Sequence, residues 1–211
     1  EKRRELYEIL ITSKILALDT ETTSTDPIDA ELVGMSFSIK ENQAFYVPVP
    51  PNYDEAQKIV KEFQPIFENE EILKVGQNMK YDLLVLDNYG VELRGPMFDT
   101  MIAHYVLQPE LRHNMDYLAE IYLNYETIRI EELIGAKGKN QGNVRDLPAE
   151  AVYQYACEDA DVTLKLKNIL EKELEANGVS SLFYEIEMPL MPVLAQMERN
   201  GVRIDTNALK E

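Results

Sequence analysis

The stretch KILALDTET, Lys14 to Thr22, carries four apolar residues straight into an Asp-Thr-Glu triplet. Ile15 to Leu18 reads as a buried strand, because the run is short, apolar and followed at once by polar residues. Side chains at i and i+2 of a strand share a face, so Asp19 and Glu21 would stand side by side as two negative charges. A strand that ends in crowded carboxylates needs something to offset their repulsion.

Working outward, Val33, Met35, Phe37 and Ile39 alternate with Gly34, Ser36 and Ser38, the period of a half-buried strand. Phe45, Val47 and Val49 repeat the alternation after a turn at Glu41-Asn42, which predicts a hairpin and makes the first fifty residues mostly sheet. From Asp54 the period becomes helical through Ile59, Val60, Phe63, Ile66 and Phe67, with Asp54 and Gln57 resembling a capping box. Leu73 to Val75 can return to the sheet, followed by a helix from about Asn78 to Tyr89 that Gly90 ends. A short strand at Met97-Phe98 and a helix from Met101 to Leu107 complete an alternating pattern, the signature of an α/β layer fold. Beyond Arg112 the pattern is nearly all helical. Pro148 suits the first position of a long helix that stops at Asn177-Gly178. The segment from Ser180 to Glu211, with Pro189 and Pro192 in an amphipathic pattern, reads as the first piece of a following domain.

The chain has 211 residues, 45% of them hydrophobic, enough for one sizeable domain with a core of its own. Its net charge of −17 argues against gripping nucleic acid through a broad basic face, so any such contact must be local. The single cysteine, Cys157, excludes an internal disulfide and fits a reducing compartment. No apolar run approaches the ~20 residues of a membrane span and no signal peptide opens the chain. The expectation is a soluble, cytoplasmic fragment of something longer, since the chain starts at Glu1 without an initiator methionine. The only glycine-rich stretch, Ile134 to Gly142, holds Lys137 and Lys139 but lacks the spacing of a nucleotide-cradling loop, and reads as a flexible solvated loop in preference to a phosphate contact.

Three places put polar groups into apolar patterns with two functional groups on one side of an element. Besides Asp19 and Glu21, Asn78 and Asp82 stand at i and i+4 of a helix, and Tyr155 and Asp159 repeat that spacing in the long helix. Each has a bland reading by itself: a solvated strand end, a helix cap with an exposed carboxylate, a core tyrosine. Should the fold bring these carboxylates together, they would repel one another unless protonated or bound to cations, and hard oxygen ligands suit Mg²⁺ or Mn²⁺. A pair of ions ~3.5–4 Å apart can activate water and neutralise charge on a phosphodiester. Cations would also give an acidic protein the local positive charge that nucleic acid requires.

Taken in this order and spacing, the phrases ALDTET around Asp19, VGQNMKYD from Val75, ELRGPMFDTM from Glu92, RHNMDYLAE from Arg112, the loop KGKNQ from Lys137 and YACEDADVTLKL from Tyr155 resemble the 3′–5′ exonuclease domain of bacterial DNA polymerase I. That family belongs to the four-carboxylate exonucleases with a ribonuclease H-like fold, which implies α/β architecture with a central mixed five-stranded sheet flanked by helices. The resemblance continues through EMPLMPVLAQMERNGVRID, Glu187 to Asp205, which is similar to the start of the polymerase domain, so residues 1–178 are expected to form the exonuclease domain and 179–211 the beginning of the next. It implies a tyrosine-type active site in which Asp19, Glu21 and Asp159 hold one divalent ion, Asp19 is shared with a second, Asp82 holds that second ion through water, and Tyr155 orients or helps deprotonate the attacking water. Two Mg²⁺ ions are implied, with Mn²⁺ or Zn²⁺ as substitutes. Thr20, Gln77, Asn78, Lys80, Tyr81 and Arg112 match positions near the substrate strand, where phosphate contacts set position without reading sequence. Where the family can place an apolar wedge and an aromatic ring against the terminal bases, this sequence has Thr25 and Ile130. The implied partners are a single-stranded or frayed DNA 3′ end and the polymerase domain of the same full-length chain, with no membrane and a monomeric state. His104 is read as structural or on a helix surface, and Glu158 and Asp161, which point away from the Tyr155 face, as solvated carboxylates.

Two alternatives stay open at the level of sequence. One is a scaffold that positions a polymerase domain but cuts poorly, which the residues at Thr25 and Ile130 allow. The other is a ribonuclease acting on RNA 3′ ends with the same carboxylates, because fold does not choose the sugar.

Overall fold

Five strands, β1 (Ile15–Thr22), β2 (Leu32–Lys40), β3 (Gln43–Pro48), β4 (Leu73–Gly76) and β5 (Met97–Asp99), form one mixed sheet in the order β3-β2-β1-β4-β5 in a computed structural model that describes residues 1–208. β1 pairs antiparallel with β2 and parallel with β4, and β4 pairs parallel with β5. With strands on both sides and elements over both faces, β1 buries Leu16, Ala17 and Leu18 completely or nearly so, which is why its sequence is an unbroken apolar run.

The helices are α1 (Lys2–Ile11), α2 (Tyr53–Glu62), α3 (Gln64–Phe67), α4 (Met79–Asp87), α5 (Thr100–Leu107), α6 (Met115–Leu118), α7 (Ile130–Ile134), α8 (Ala149–Ala176) and α9 (Met188–Asn200), with short π-helical stretches at Ala119–Leu123 and Leu182–Glu187. The two sheet faces differ in bulk. Ala17, Asp19 and Glu21 pair across the sheet with Ser38, Ser36 and Gly34, and this face of small side chains lets the 28-residue α8 lie close over β1 and β2. On the opposite face the large residues collect: Phe37 stacks on Phe63 with ring centroids 5.5 Å apart and meets Phe67 at 6.0 Å. On the α8 face, a Cβ at Gly34 would sit 2.2 Å from the Tyr46 hydroxyl oxygen, so a larger residue there would displace the Tyr46 ring.

α8 ends as its sequence foretells. Gly178 adopts φ +69°, its N–H bonds the Glu175 carbonyl at 3.0 Å, and Val179 N–H reaches back to the Leu174 carbonyl at 3.0 Å, a Schellman stop. Four expectations about local structure are corrected. The first fifty residues also hold α1, whose two buried contacts, Leu6 and Leu10, are too few to make a clear period. The cap of α2 is Asn52, whose side chain accepts from Glu55 N–H at 3.1 Å, while Gln57 turns away to bond the Tyr89 carbonyl at 3.1 Å. Pro148 stands just before α8 and not at its first position, its carbonyl accepting from Ala151 N–H at 2.9 Å. The chain between the π-helical stretch and α8 is interrupted by irregular straps and not continuously helical.

After Gly178 the chain packs back on the same body. Phe183 is fully buried against Phe98, centroids 4.8 Å apart, and Met188 and Met191 join the main core. Arg199 closes α9 onto α4 through Asp87 at 2.7 Å and the Leu84 carbonyl at 2.8 Å. The expected following segment, 179–211, includes residues 209–211, which lie outside the described residues. No helix among the described residues is long and apolar enough to cross a membrane.

Candidate active site

β1 delivers Asp19 and Glu21 to one face of the sheet at its C-terminal end, where the pairing with β2 slips between Glu21 and Thr22. α8 crosses that face and brings Asp159, so that carboxylate oxygens of Asp19, Glu21 and Asp159 all lie within 4.8 Å of one another. α4 begins immediately after β4 through Asn78, held in the left-handed conformation at φ 63°, and one turn later presents the buried Asp82. Asp82 accepts a hydrogen bond of 2.5 Å from the Thr20 hydroxyl. These residues and Tyr155 line one cavity of about 570 Å³.

The electrostatics follow from the burial. Loss of hydration pushes Asp19 up to about 7. Glu21 lies well above the ordinary carboxylate range because of burial, then the charges of Asp19 and Asp82. Asp159 is raised by burial, then by Asp19 and Glu21, with the Tyr155 hydroxyl partly offsetting the shift. Asp82 is raised by burial and by Asp19, and Thr20 opposes this. Tyr155 itself is raised by burial and by Asp159, Glu21 and Asp19, so its hydroxyl keeps its proton in this setting. Oε1 of Glu21 is buried without a hydrogen-bond partner. An orphaned carboxylate oxygen beside two other acids, all hard donors, fits a divalent cation.

Of the residues singled out from sequence, Asp19, Thr20, Glu21, Thr25, Gln77, Asn78, Tyr81, Asp82, Ile130, Tyr155 and Asp159 all line this cavity. Lys80 and Arg112 do not. The Lys80 ammonium pairs with Glu198 of α9, and Arg112 lines a separate cavity of about 550 Å³ with Arg129 and Tyr117. Tyr81 braces the site: its hydroxyl donates to the Ser24 carbonyl and meets the Thr22 hydroxyl, tying α4 to the end of β1. Gln77 is fixed on both sides, donating to the His113 carbonyl at 2.7 Å and accepting from Thr100.

Sequence reasoning passed over Asp99. Its buried carboxylate accepts from Met101 and Ile102 N–H at 2.8 and 3.1 Å and from Met79 N–H at 2.6 Å, so it caps α5 and α4 together and aims Asp82. The signal was present, an aspartate directly before an apolar helical run. Glu158 and Asp161 are corrected: neither is a free solvated acid. Glu158 accepts from Ile128 N–H at 2.6 Å and the Tyr125 hydroxyl at 2.5 Å, and Asp161 accepts from Asn42 N–H at 2.6 Å and pairs with Lys165 at 2.6 Å. They point away from the cavity and pin a strap and the β2-β3 turn to α8. His104 is buried, its Nδ1 2.7 Å from that of His113, remote from the carboxylates.

The family described as 3′–5′ exonuclease matches residues 1–175. DNA polymerase I of Pseudomonas aeruginosa is 43% identical over 207 residues, covering 93% of this chain and 23% of that protein. DNA polymerase I of Borreliella burgdorferi is 37% identical, covering 98% of this chain and 22% of its own length. The chain therefore spans less than a quarter of each of these relatives. Among solved structures, Brucella melitensis NrnC with bound Mg²⁺ superposes with a TM-score of 0.71 at 21% identity over 93% of this chain and 92% of that one, a likeness of fold. The sheet, the helices over it and these neighbours make the architecture ribonuclease H-like, and the chain belongs to the 3′–5′ exonuclease family of its DNA polymerase I relatives.

Proposed function

We propose that this chain hydrolyses the 3′-terminal phosphodiester of single-stranded or frayed DNA and releases nucleoside 5′-monophosphates, as the proofreading part of a DNA polymerase I. The observation that carries the reading is the cluster of half-buried Asp19 with buried Glu21 and Asp159, Glu21 Oε1 unpartnered, and Asp82 close enough to Asp19 to feel its charge. Asp19, Glu21 and Asp159 would hold one divalent ion, and Asp19 with Asp82 a second, Mg²⁺ being the expected metal and Mn²⁺ or Zn²⁺ substitutes. When bound, such ions supply Lewis acidity toward the phosphoryl oxygens and make water a nucleophile at neutral pH.

The chain's own groups do the rest. The Tyr155 hydroxyl orients the attacking water toward phosphorus. Water oxygen bonds to phosphorus as the bond to the 3′ oxygen of the preceding nucleotide breaks; the attacking water gives up a proton to solvent and the leaving oxygen takes one from solvent. Asn78, Gln77 and Tyr81 form the wall against which the last nucleotides lie. Thr25 and Ile130 flank them without an aromatic ring, so base stacking worth ~1–3 kcal/mol is forgone and the terminal bases are held loosely.

Residues 179–211 are proposed to lead into the polymerase domain of the same full-length chain. α9 supports this, because it is apolar on two sides: Met188, Met191 and Ala195 face the core, while Leu190, Val193, Leu194 and Met197 are exposed. The polymerase domain is the proposed cover for that outer face. A cytoplasmic, monomeric enzyme is part of the same reading. The test is incubation with a 3′-labelled DNA oligonucleotide and Mg²⁺, beside Asp19→Ala and an RNA strand of the same sequence. Release of label from DNA by the unaltered chain alone is expected; equal release by both proteins, or preference for RNA, contradicts the proposal.

A further inference from the structure

Five acids, Asp19, Glu21, Asp82, Asp159 and Glu131, line the cavity, and among the described residues Lys137 is the single cation that lines it with them. This lysine comes from the glycine-rich stretch after α7, and the fold treats the two ends and the tip of that stretch differently. The base is stapled: Gly142 N–H donates to the Ile134 carbonyl at 2.7 Å and the Gln141 amide to the Gly135 carbonyl at 3.1 Å. Just beyond, the Asn143 amide bonds the Thr23 carbonyl at 2.8 Å, and Arg145 grips the Leu32 and Val49 carbonyls at 2.6 and 2.8 Å. The tip is open, with Gly138 at φ +151° and nothing within 4 Å of where a side chain there would be. A rigid stalk thus holds a pliable tip at the rim, and the tip carries Lys137.

Two divalent ions would offset the carboxylates and the phosphate being cut, but not the phosphates behind it. The other cations that the family resemblance offers are not at hand in this cavity: Lys80 is committed to Glu198, and Arg112 lies in a separate cavity. Among the described residues Lys137 forms no ion pair. On the exonuclease reading, we propose that Lys137 is a substrate-positioning residue whose ammonium contacts a backbone phosphate of the strand entering the cavity. The contact is with a uniform part of the strand, so it sets position without selecting a base. The flanking glycines let it follow the strand as the end recedes.

Lys139 provides an internal control, since it sits on the same loop, is exposed and does not line the cavity. Fluorescence anisotropy of a labelled single-stranded DNA oligonucleotide, measured in Ca²⁺ across a salt series, reads binding without cleavage. Lys137→Gln is expected to weaken binding roughly three- to tenfold at low salt and to flatten the salt slope by about 0.7, the value for one single-strand phosphate. Lys137→Arg should restore most of the slope, and Lys139→Gln should stay near the unaltered chain. In Mg²⁺ the Lys137→Gln effect falls on KM more than on kcat. Equal behaviour of Lys137→Gln and Lys139→Gln, or no binding by the unaltered chain, overturns the inference. The two readings fail separately: Lys137-dependent binding without nucleotide release overturns the exonuclease reading, whereas normal release with an unchanged slope in Lys137→Gln overturns this one.

Discussion

Thr20, on β1, holds the carboxylate that α4 brings to the site. Its hydroxyl donates 2.5 Å to Asp82 across the junction of β1 and α4. Thr20→Val keeps the shape and strand preference but removes the donor, and is expected to lower Mn²⁺ affinity, measured by paramagnetic resonance, on the order of tenfold. Thr20→Ser should retain it; equal affinities in all three proteins would show the bond to be incidental. The carboxylates also set a pH dependence. Asp19 is raised to about 7, and Glu21, Asp82 and Asp159 stand well above their ordinary values. The folded chain then binds more protons than the unfolded one, so metal-free stability falls as pH rises through that interval. His104, lowered to about 4 by burial and by His113, acts in the opposite sense below its ordinary 6.5, where stability rises with pH. Above that point the carboxylates dominate until Lys74, lowered to about 8 by burial, adds a contribution that rises with pH. In EDTA the melting midpoint should fall from about pH 6.5 to about pH 7.5, by about 2–4 °C for each kcal/mol of repulsion, and saturating Mg²⁺ should remove the fall. Asp19→Asn should raise the metal-free midpoint at the alkaline end; a midpoint that rises with pH in EDTA would contradict this. The pairing of Asp19 with Glu21 was legible because strand period is local. The bond from Thr20 to Asp82 was not, because it depends on where β4 sets down the start of α4.

Among elements, Asp99 is the joint that orders α4 and α5. One buried carboxylate accepts from backbone N–H groups of both helices, so Asp99→Ala uncaps two elements at once. The expected cost is about 2–4 kcal/mol in denaturant unfolding, twice a typical cap; a cost below ~1 kcal/mol would mean water replaces it. The tail makes a second case. Phe183 is fully buried against Phe98, so Phe183→Ala should cost about 3–5 kcal/mol and lower the single unfolding transition of the chain. A change confined to a separate, weaker transition would show that residues after Gly178 fold apart from the sheet. Most elements could be read from period alone, as in β3 and α8, but β2, expected to be half-buried from its alternation, is buried on both faces because α8 covers Gly34, Ser36 and Ser38. α1 escaped because only Leu6 and Leu10 are buried, and α9 reads as amphipathic although two of its faces are apolar. A period reports which side is oily, not which neighbour covers it.

At the scale of the molecule, a chain of net charge −17 gathers five acids into one cavity, where Lys137 is the single lining cation among the described residues. The sheet order explains how residues so far apart in sequence meet: β1 is central, α8 returns across it, and α4 starts beside its end. No local pattern encodes that return. The convergence was legible only through resemblance to a family, while the residues themselves supplied three isolated pairs. The most direct measurement is diffraction from crystals of this chain soaked in Mn²⁺, with the ions located by anomalous scattering. The account predicts one ion bound by Asp19, Glu21 and Asp159 and a second on the Asp82 side of Asp19, ~3.5–4 Å away. Ordered Mn²⁺ found only elsewhere, with these carboxylates unliganded at saturation, would contradict it.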